Sequence, residues 1–265
     1  MRIIILLSLL NLAACSVQKK TNDLRISSPI TVNGKLFTSA YMQKAAEYRA
    51  LCFQAYNIAR IKLDEKVTLI TNKPKAIITD IDETVLDNSA FAVHQALQGK
   101  DYDQIDWYSW TAREEADTIP GAPSFLKYAG GKGIQIFYIT NREERERKST
   151  LINLQRYYLP NADNEHLIMR INESGKEHRR QHVMADYEVV LLLGDNLADF
   201  STLFDKQTTD QRITNTNKIA EMFGDRYIVL PNPDYGDWES AIYQYNYKLT
   251  PLQKDSSIKS ILKTY

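Results

Sequence analysis

Five short apolar runs, rich in β-branched residues, restrict this chain to very few folds. Residues 76–81 (AIITDI), 134–139 (IQIFYI), 167–169 (LIM), 189–193 (VVLLL) and 227–230 (YIVL) carry apolar side chains at both odd and even positions. Runs of this kind suit strands buried on both faces of a parallel sheet. Helical spacing fills the intervals 143–157, 175–185 and 213–223, and a longer helical stretch, 40–66, precedes the first run. Strand–helix alternation predicts a doubly wound parallel α/β domain. In such a sheet ligands bind beyond the carboxyl ends of the strands, so the residues that follow each run are the ones that hold chemistry.

Those residues are polar in an ordered way. The first run ends Asp80-Ile81-Asp82-Glu83-Thr84, and the second Thr140-Asn141-Arg142. The third is followed by Asn172-Glu173-Ser174-Gly175-Lys176, and the fourth by Gly194-Asp195, with Asp199 four residues further on. Carboxylates two apart at a strand end point the same way, and carboxylates four apart on a starting helix share a face. Such a gathering of acids requires a compensating cation, and hard oxygen ligands select Mg²⁺ rather than Zn²⁺. An isolated pair of aspartates is common on protein surfaces; the signal is the ordered set, each member at the end of its own strand.

Composition narrows the partners. Lys+Arg and Asp+Glu are both 33, so the formal net charge is zero and nothing favours a nucleic acid polymer. A hydrophobic content of 43% excludes a disordered chain, and two cysteines exclude a disulfide framework. The N-terminus reads as a secretory signal over residues 1–14: Arg2, an apolar run 3–10, then Leu12-Ala13-Ala14-Cys15. That ending is similar to a bacterial lipobox, which makes Cys15 the lipidated first residue of the mature chain. The apolar run is too short to span a bilayer, so the acyl group would be the anchor. Residues 15–37 then read as a lipidated tether, and residues 38–265 as the folded part.

DIDET with LDNSAF, then YITNR, Lys176 and GDNLADF resemble the haloacid dehalogenase (HAD) superfamily, and the four-aspartate pattern resembles its DDDD phosphohydrolases. The lipobox, WYSWTAREEADTIPGA and LPNPDYGDWE are similar to the class C acid phosphatases, the bacterial lipoprotein 5′-nucleotidase family. The resemblance runs from about residue 40 to 241. It departs little: both Asp195 and Asp199 are kept, and Thr140 stands where a serine is also seen. The tail 248–265 lies outside it. The implied fold is a Rossmann-like HAD sheet with a smaller, mainly helical cap inserted at about 85–122.

The resemblance also implies roles. Asp80 is the nucleophile, and Asp82 the general acid and base. Mg²⁺ is held by the Asp80 carboxylate, the Asp82 backbone carbonyl and Asp195, with Asp199 orienting from behind. Thr140 and Asn141 bind the phosphoryl oxygens, and Lys176 neutralises the transferring group, with Arg179 and Arg180 as competitors for that place. Tyr102 and Tyr235 stand where the family clamps a nucleobase, although with 16 tyrosines in the chain packing is the competing reading. Trp107, Trp110 and Trp238 read as core, and Ser124 as a helix cap. The expected substrates are nucleoside monophosphates and related phosphomonoesters such as nicotinamide mononucleotide. The expected location is the bacterial cell envelope, at the outer membrane, and a homodimer is left open. Two rivals are a phospho-receiver domain and a lipoprotein that uses the same fold to bind a surface ligand such as haem.

Overall fold

The computed structural model describes residues 29–265. The signal segment 1–14, Cys15 and the first part of the tether lie outside the described residues.

Two helices open the fold, α1 (Ile30–Lys44) and α2 (Ala46–Val67). There follow β1 (Lys75–Thr79), β2 (Leu86–Asp87), α3 (Ser89–Leu97), α4 (Gln104–Thr111), β3 (Asp117–Thr118) and α5 (Ala122–Gly131). Next come β4 (Gln135–Glu143), α6 (Arg147–Arg156), β5 (Leu167–Arg170), α7 (Glu177–Asp186), β6 (Glu188–Gly194) and α8 (Thr209–Lys218). β7 (Tyr227–Val229), α9 (Asp237–Ile242) and α10 (Pro251–Ile261) complete it.

The five apolar runs form one parallel sheet in the order β5-β4-β1-β6-β7. The chain steps outward from β1 to β5, then returns to lay β6 on the other side of β1. That reversal places the crevice between β1 and β6. Side chains alternate between two cores. Ile77, Ile136, Leu191 and Leu193 pack with Tyr56, Ala59 and Leu63 of α2 and with Leu126 of α5. Ala76, Ile78, Phe137, Val189 and Leu192 face the opposite layer, where Val183 of α7 sits. Both faces are covered, which is why the runs are apolar throughout.

Between β1 and α5 the chain inserts α3, α4 and the antiparallel ribbon β2–β3. No helix among the described residues is long and apolar enough to cross a membrane.

Several expectations are corrected. The tether does not reach residue 37, because α1 begins at Ile30 and buries Thr31, Val32, Ser39 and Met42. Its N-terminus has no local cap; the Asp255 carboxylate of α10 accepts the Ile30 and Thr31 N–H groups at 2.9 and 3.1 Å. The signal for this helix start thus lies more than two hundred residues away. The stretch 40–66 is two helices, because Ala45 is extended (ψ 127°), a break that alanine does not announce. Ser124 caps nothing, since α5 starts at Ala122 behind Gly121, whose φ of +93° suits glycine. A Cβ at Gly121 would also stand 3.0 Å from the Tyr56 ring. Trp238 is 43% exposed and so not core.

Candidate active site

A cavity of about 610 Å³ opens at the carboxyl ends of β1, β4 and β6. Asp80, Asp82, Asn141, Lys176, Asp195 and Asp199 all reach it. Its size suits a small organic ligand.

Asp80 follows β1 directly, and its N–H continues the sheet by donating to the Leu193 carbonyl at 2.9 Å. Its carboxylate is buried and pairs with the Lys176 ammonium, which also reaches Asp199 at 2.6 Å. Burial, opposed by Lys176, pushes the Asp80 carboxyl up to about 7, with Asp199 and Asp82 adding to the rise. Burial works against the Lys176 charge as well, but the two carboxylates win and raise its pKa. The Lys176 assignment is thereby separated from its sequence neighbours. Arg179 donates to the Thr140 carbonyl and to Asn141 Oδ1, at 2.6 and 2.8 Å. Arg180 donates to the carbonyls of Ala198 and Asp199.

Asp82 lies in the same cavity but serves a different cation. Arg142 Nη2 is 2.7 Å from Asp82 Oδ1, and Asn88 Nδ2 donates to the same oxygen at 2.9 Å. Asn88 is itself fixed by Trp110 Nε1 at 2.8 Å. Thr140 is fully buried and does not line the cavity; its hydroxyl donates to Asp82 Oδ2 at 3.4 Å and accepts the Arg142 N–H at 3.1 Å. Sequence reasoning gave neither Arg142 nor Asn88 a role. The one available signal was that Arg142 follows Thr140-Asn141 within a strand-end motif.

Asp195 stands across the crevice, held by Asn232 Nδ2 at 2.7 Å and more loosely by the Thr84 hydroxyl at 3.4 Å. Burial, with Asp199 and Asp80 close by, holds its carboxyl well above the usual carboxylate range. Asp199 accepts the Asn196 N–H at 3.0 Å. A Cβ at Gly194 would lie 2.5 Å from the Asp199 side chain, so this close approach needs glycine. Asp80, Asp195 and Asp199 each bring one ligand atom within 4.8 Å of the others. Three hard oxygen donors against the single Lys176 ammonium fit a divalent cation. The Asp82 carboxylate is absent from this trio, because Arg142 holds it.

Aromatic rings form the outer wall. Tyr102 and Tyr235 both line the cavity. Tyr102 is half-exposed and packs near Phe91 and Trp107, with centroids 6.1 and 6.2 Å away. The Tyr235 hydroxyl donates to Glu83, a buried carboxyl raised well above its usual range by burial and by Asp82. Glu83 also has φ +57°, a strained conformation for a non-glycine residue. Residues past 241, where the resemblance ends, supply further wall: Tyr243, Tyr247 and, from the tail itself, Lys254.

Residues 4–238 match the family described as HAD superfamily, subfamily IIIB (acid phosphatase). Among solved structures, the class C acid phosphatase of Bacillus anthracis is similar at 39% identity with a TM-score of 0.86. The match covers 89% of this chain and 99% of that one. The same Bacillus anthracis enzyme with tungstate bound matches with the same identity, coverage and TM-score.

Proposed function

We propose, from the premise that this chain belongs to the subfamily IIIB acid phosphatases of the HAD superfamily, that it hydrolyses 5′-nucleotides and related phosphomonoesters with Mg²⁺. The chain is a phosphomonoesterase by family; the nucleotide, the choice of metal and the lipid anchor are the finer reading. The observation that carries it is the buried Asp80–Lys176–Asp199 group facing Asp195 in one cavity. Tungstate in the Bacillus anthracis relative is a tetrahedral oxyanion, the shape of a phosphate.

Asp80 attacks phosphorus, forming a carboxyl–phosphate bond as the ester P–O bond breaks. Asp82, oriented by Arg142 and Asn88, gives a proton to the leaving alkoxide. It then takes one from the water that attacks the acyl phosphate, which frees Asp80 and inorganic phosphate. Lys176 balances charge on the transferring group and Asn141 holds its oxygens, whereas Thr140, buried behind the cavity wall, positions Asp82 and Arg142 instead of touching the phosphoryl group as the resemblance implied. Asp80 and Asp195, with the Asp82 carbonyl, would hold the divalent ion, which would supply charge neutralisation between carboxylate and phosphate. Tyr102 and Tyr235 stack a flat leaving group.

Phosphate release from nucleoside monophosphates, nicotinamide mononucleotide and sugar phosphates, with and without EDTA, tests this. Nucleotides should lead, and EDTA should silence all of them until Mg²⁺ is restored. Sugar phosphates outrunning every nucleotide, or turnover indifferent to EDTA, would contradict it. The lipobox supports an envelope location through Cys15. Labelled palmitate should enter the wild-type chain and not Cys15→Ser; label in the variant would refute the anchor.

A further inference from the structure

We propose that Gln95 reads the leaving group, its side-chain oxygen accepting a hydrogen bond from an N–H on the ring. This deepens the nucleotide reading and rests on it. The favoured esters would carry an exocyclic amine or a ring carboxamide, and the disfavoured ones would be ring analogues without that donor.

Three buried side-chain polar atoms lack a hydrogen-bond partner among the described residues: Tyr48 Oη, Gln95 Oε1 and Arg226 Nε. Of these three residues only Gln95 lines the catalytic cavity. It is 2% exposed, so its oxygen cannot rely on bulk water. Buried acceptors are rarely left unmatched, and one at a cavity wall points to a ligand donor.

The orientation of the amide is fixed. Nε2 donates to the Asp101 carbonyl at 3.2 Å. A carbonyl only accepts, so the nitrogen must face it and the oxygen is the end left over. The Asp101 loop is itself clamped. Lys35 of α1 and Lys254 of α10 bind the Asp101 carboxylate at 2.8 and 2.5 Å.

The surroundings select a flat ligand. Gln95 lies one turn beyond Phe91 on α3, and both line the cavity. Phe91 meets Trp107 edge-on at 5.2 Å and Tyr102 at 6.1 Å. Trp107 in turn lies 5.7 Å from the guanidinium of Arg142, which holds Asp82. A continuous aromatic wall therefore joins the acceptor to the reacting carboxylates. An ester with phosphate at one end and an amino-substituted ring at the other matches both. A site built to bond a substrate N–H rejects the analogue that lacks it.

The test compares two pairs of substrates that differ only in the amine. One pair is adenosine 5′-monophosphate and purine riboside 5′-monophosphate. The other is cytidine 5′-monophosphate and its analogue without the 4-amino group. Wild-type enzyme should favour the amino partner of at least one pair by roughly 2- to 12-fold in kcat/KM, mostly through KM. Gln95→Met should bring that ratio close to one. Gln95→Leu serves as the second variant, with thermal melting to confirm that each folds. A wild-type ratio near one in both pairs, or a ratio unchanged in a folded variant, overturns the assignment. If neither nucleotide is hydrolysed while ring-free phosphomonoesters are, the nucleotide reading fails and takes Gln95 with it. If both members of each pair are hydrolysed equally, the Gln95 assignment alone fails.

Discussion

Two carboxylates two residues apart are assigned here to two different cations, and that division separates their chemistry. Asp80 shares Lys176 with Asp199, whereas Asp82 is bound by Arg142 and Asn88. Each aspartate is thus held in its own orientation before substrate arrives, as preorganised catalysis requires. Proton transfer supplies ~10²–10⁴-fold, so Asp82→Asn should lose about that much on a nucleotide. An activated aryl phosphate has a leaving group that needs no proton. Its first step should recover in Asp82→Asn far more than in Asp80→Asn, as read by release of the aryl alcohol. Equal recovery would argue against separate roles. The motifs made Asp80, Asp82 and Asp195 legible, because each closes a strand. Asn88 and Arg142 were not, since their partnership with Asp82 spans 6 and 60 residues and leaves no local pattern.

The tail helix α10 is tied to α1, the first described helix, and reaches the cavity. Asp255 caps α1, so Asp255→Ala should remove about 0.5–2 kcal/mol of stability. For a chain of this size that lowers Tm by roughly 1–8 °C. An unchanged melting curve would show the cap to be inert. Lys254 joins Lys35 on Asp101, and despite partial burial the two ammonium groups hold the Asp101 carboxyl well below its usual range. A carboxyl whose folded pKa is depressed contributes stability that is present above its unfolded pKa. That contribution is lost as pH falls through the folded value. Acid titration of stability should therefore show a loss beginning below pH ~4 that Asp101→Asn removes. A variant with the same acid limb as wild type would exclude Asp101 as its source. The sheet strands were readable because both faces are apolar. The start of α1 and the break at Ala45 were not, because one is set by a distant carboxylate and the other falls on a strong helix former.

The whole molecule is a scaffold that carries four separate strand ends to one crevice. The reversal of strand order between β1 and β6 sets Asp80 against Asp195, and the turn after β5 delivers Lys176. That the strand ends share one edge follows from alternation and from a rule about sheets, and it was legible in the sequence; the strand order that sets β1 beside β6 was not. Of the outer wall only Tyr102 and Tyr235 were anticipated, because the rest combines the inserted α3 and α4 with residues beyond the matched 4–238. The central claim is that Asp80 carries the phosphoryl group between leaving group and water. Acid quenching during turnover, followed by mass spectrometry of the peptide that contains Asp80, tests it directly. A phosphoryl group on that peptide in wild type, absent from a folded Asp80→Asn whose activity is lost, is the predicted result. No phosphopeptide during turnover, together with Asp80→Asn activity within about tenfold of wild type, would contradict it.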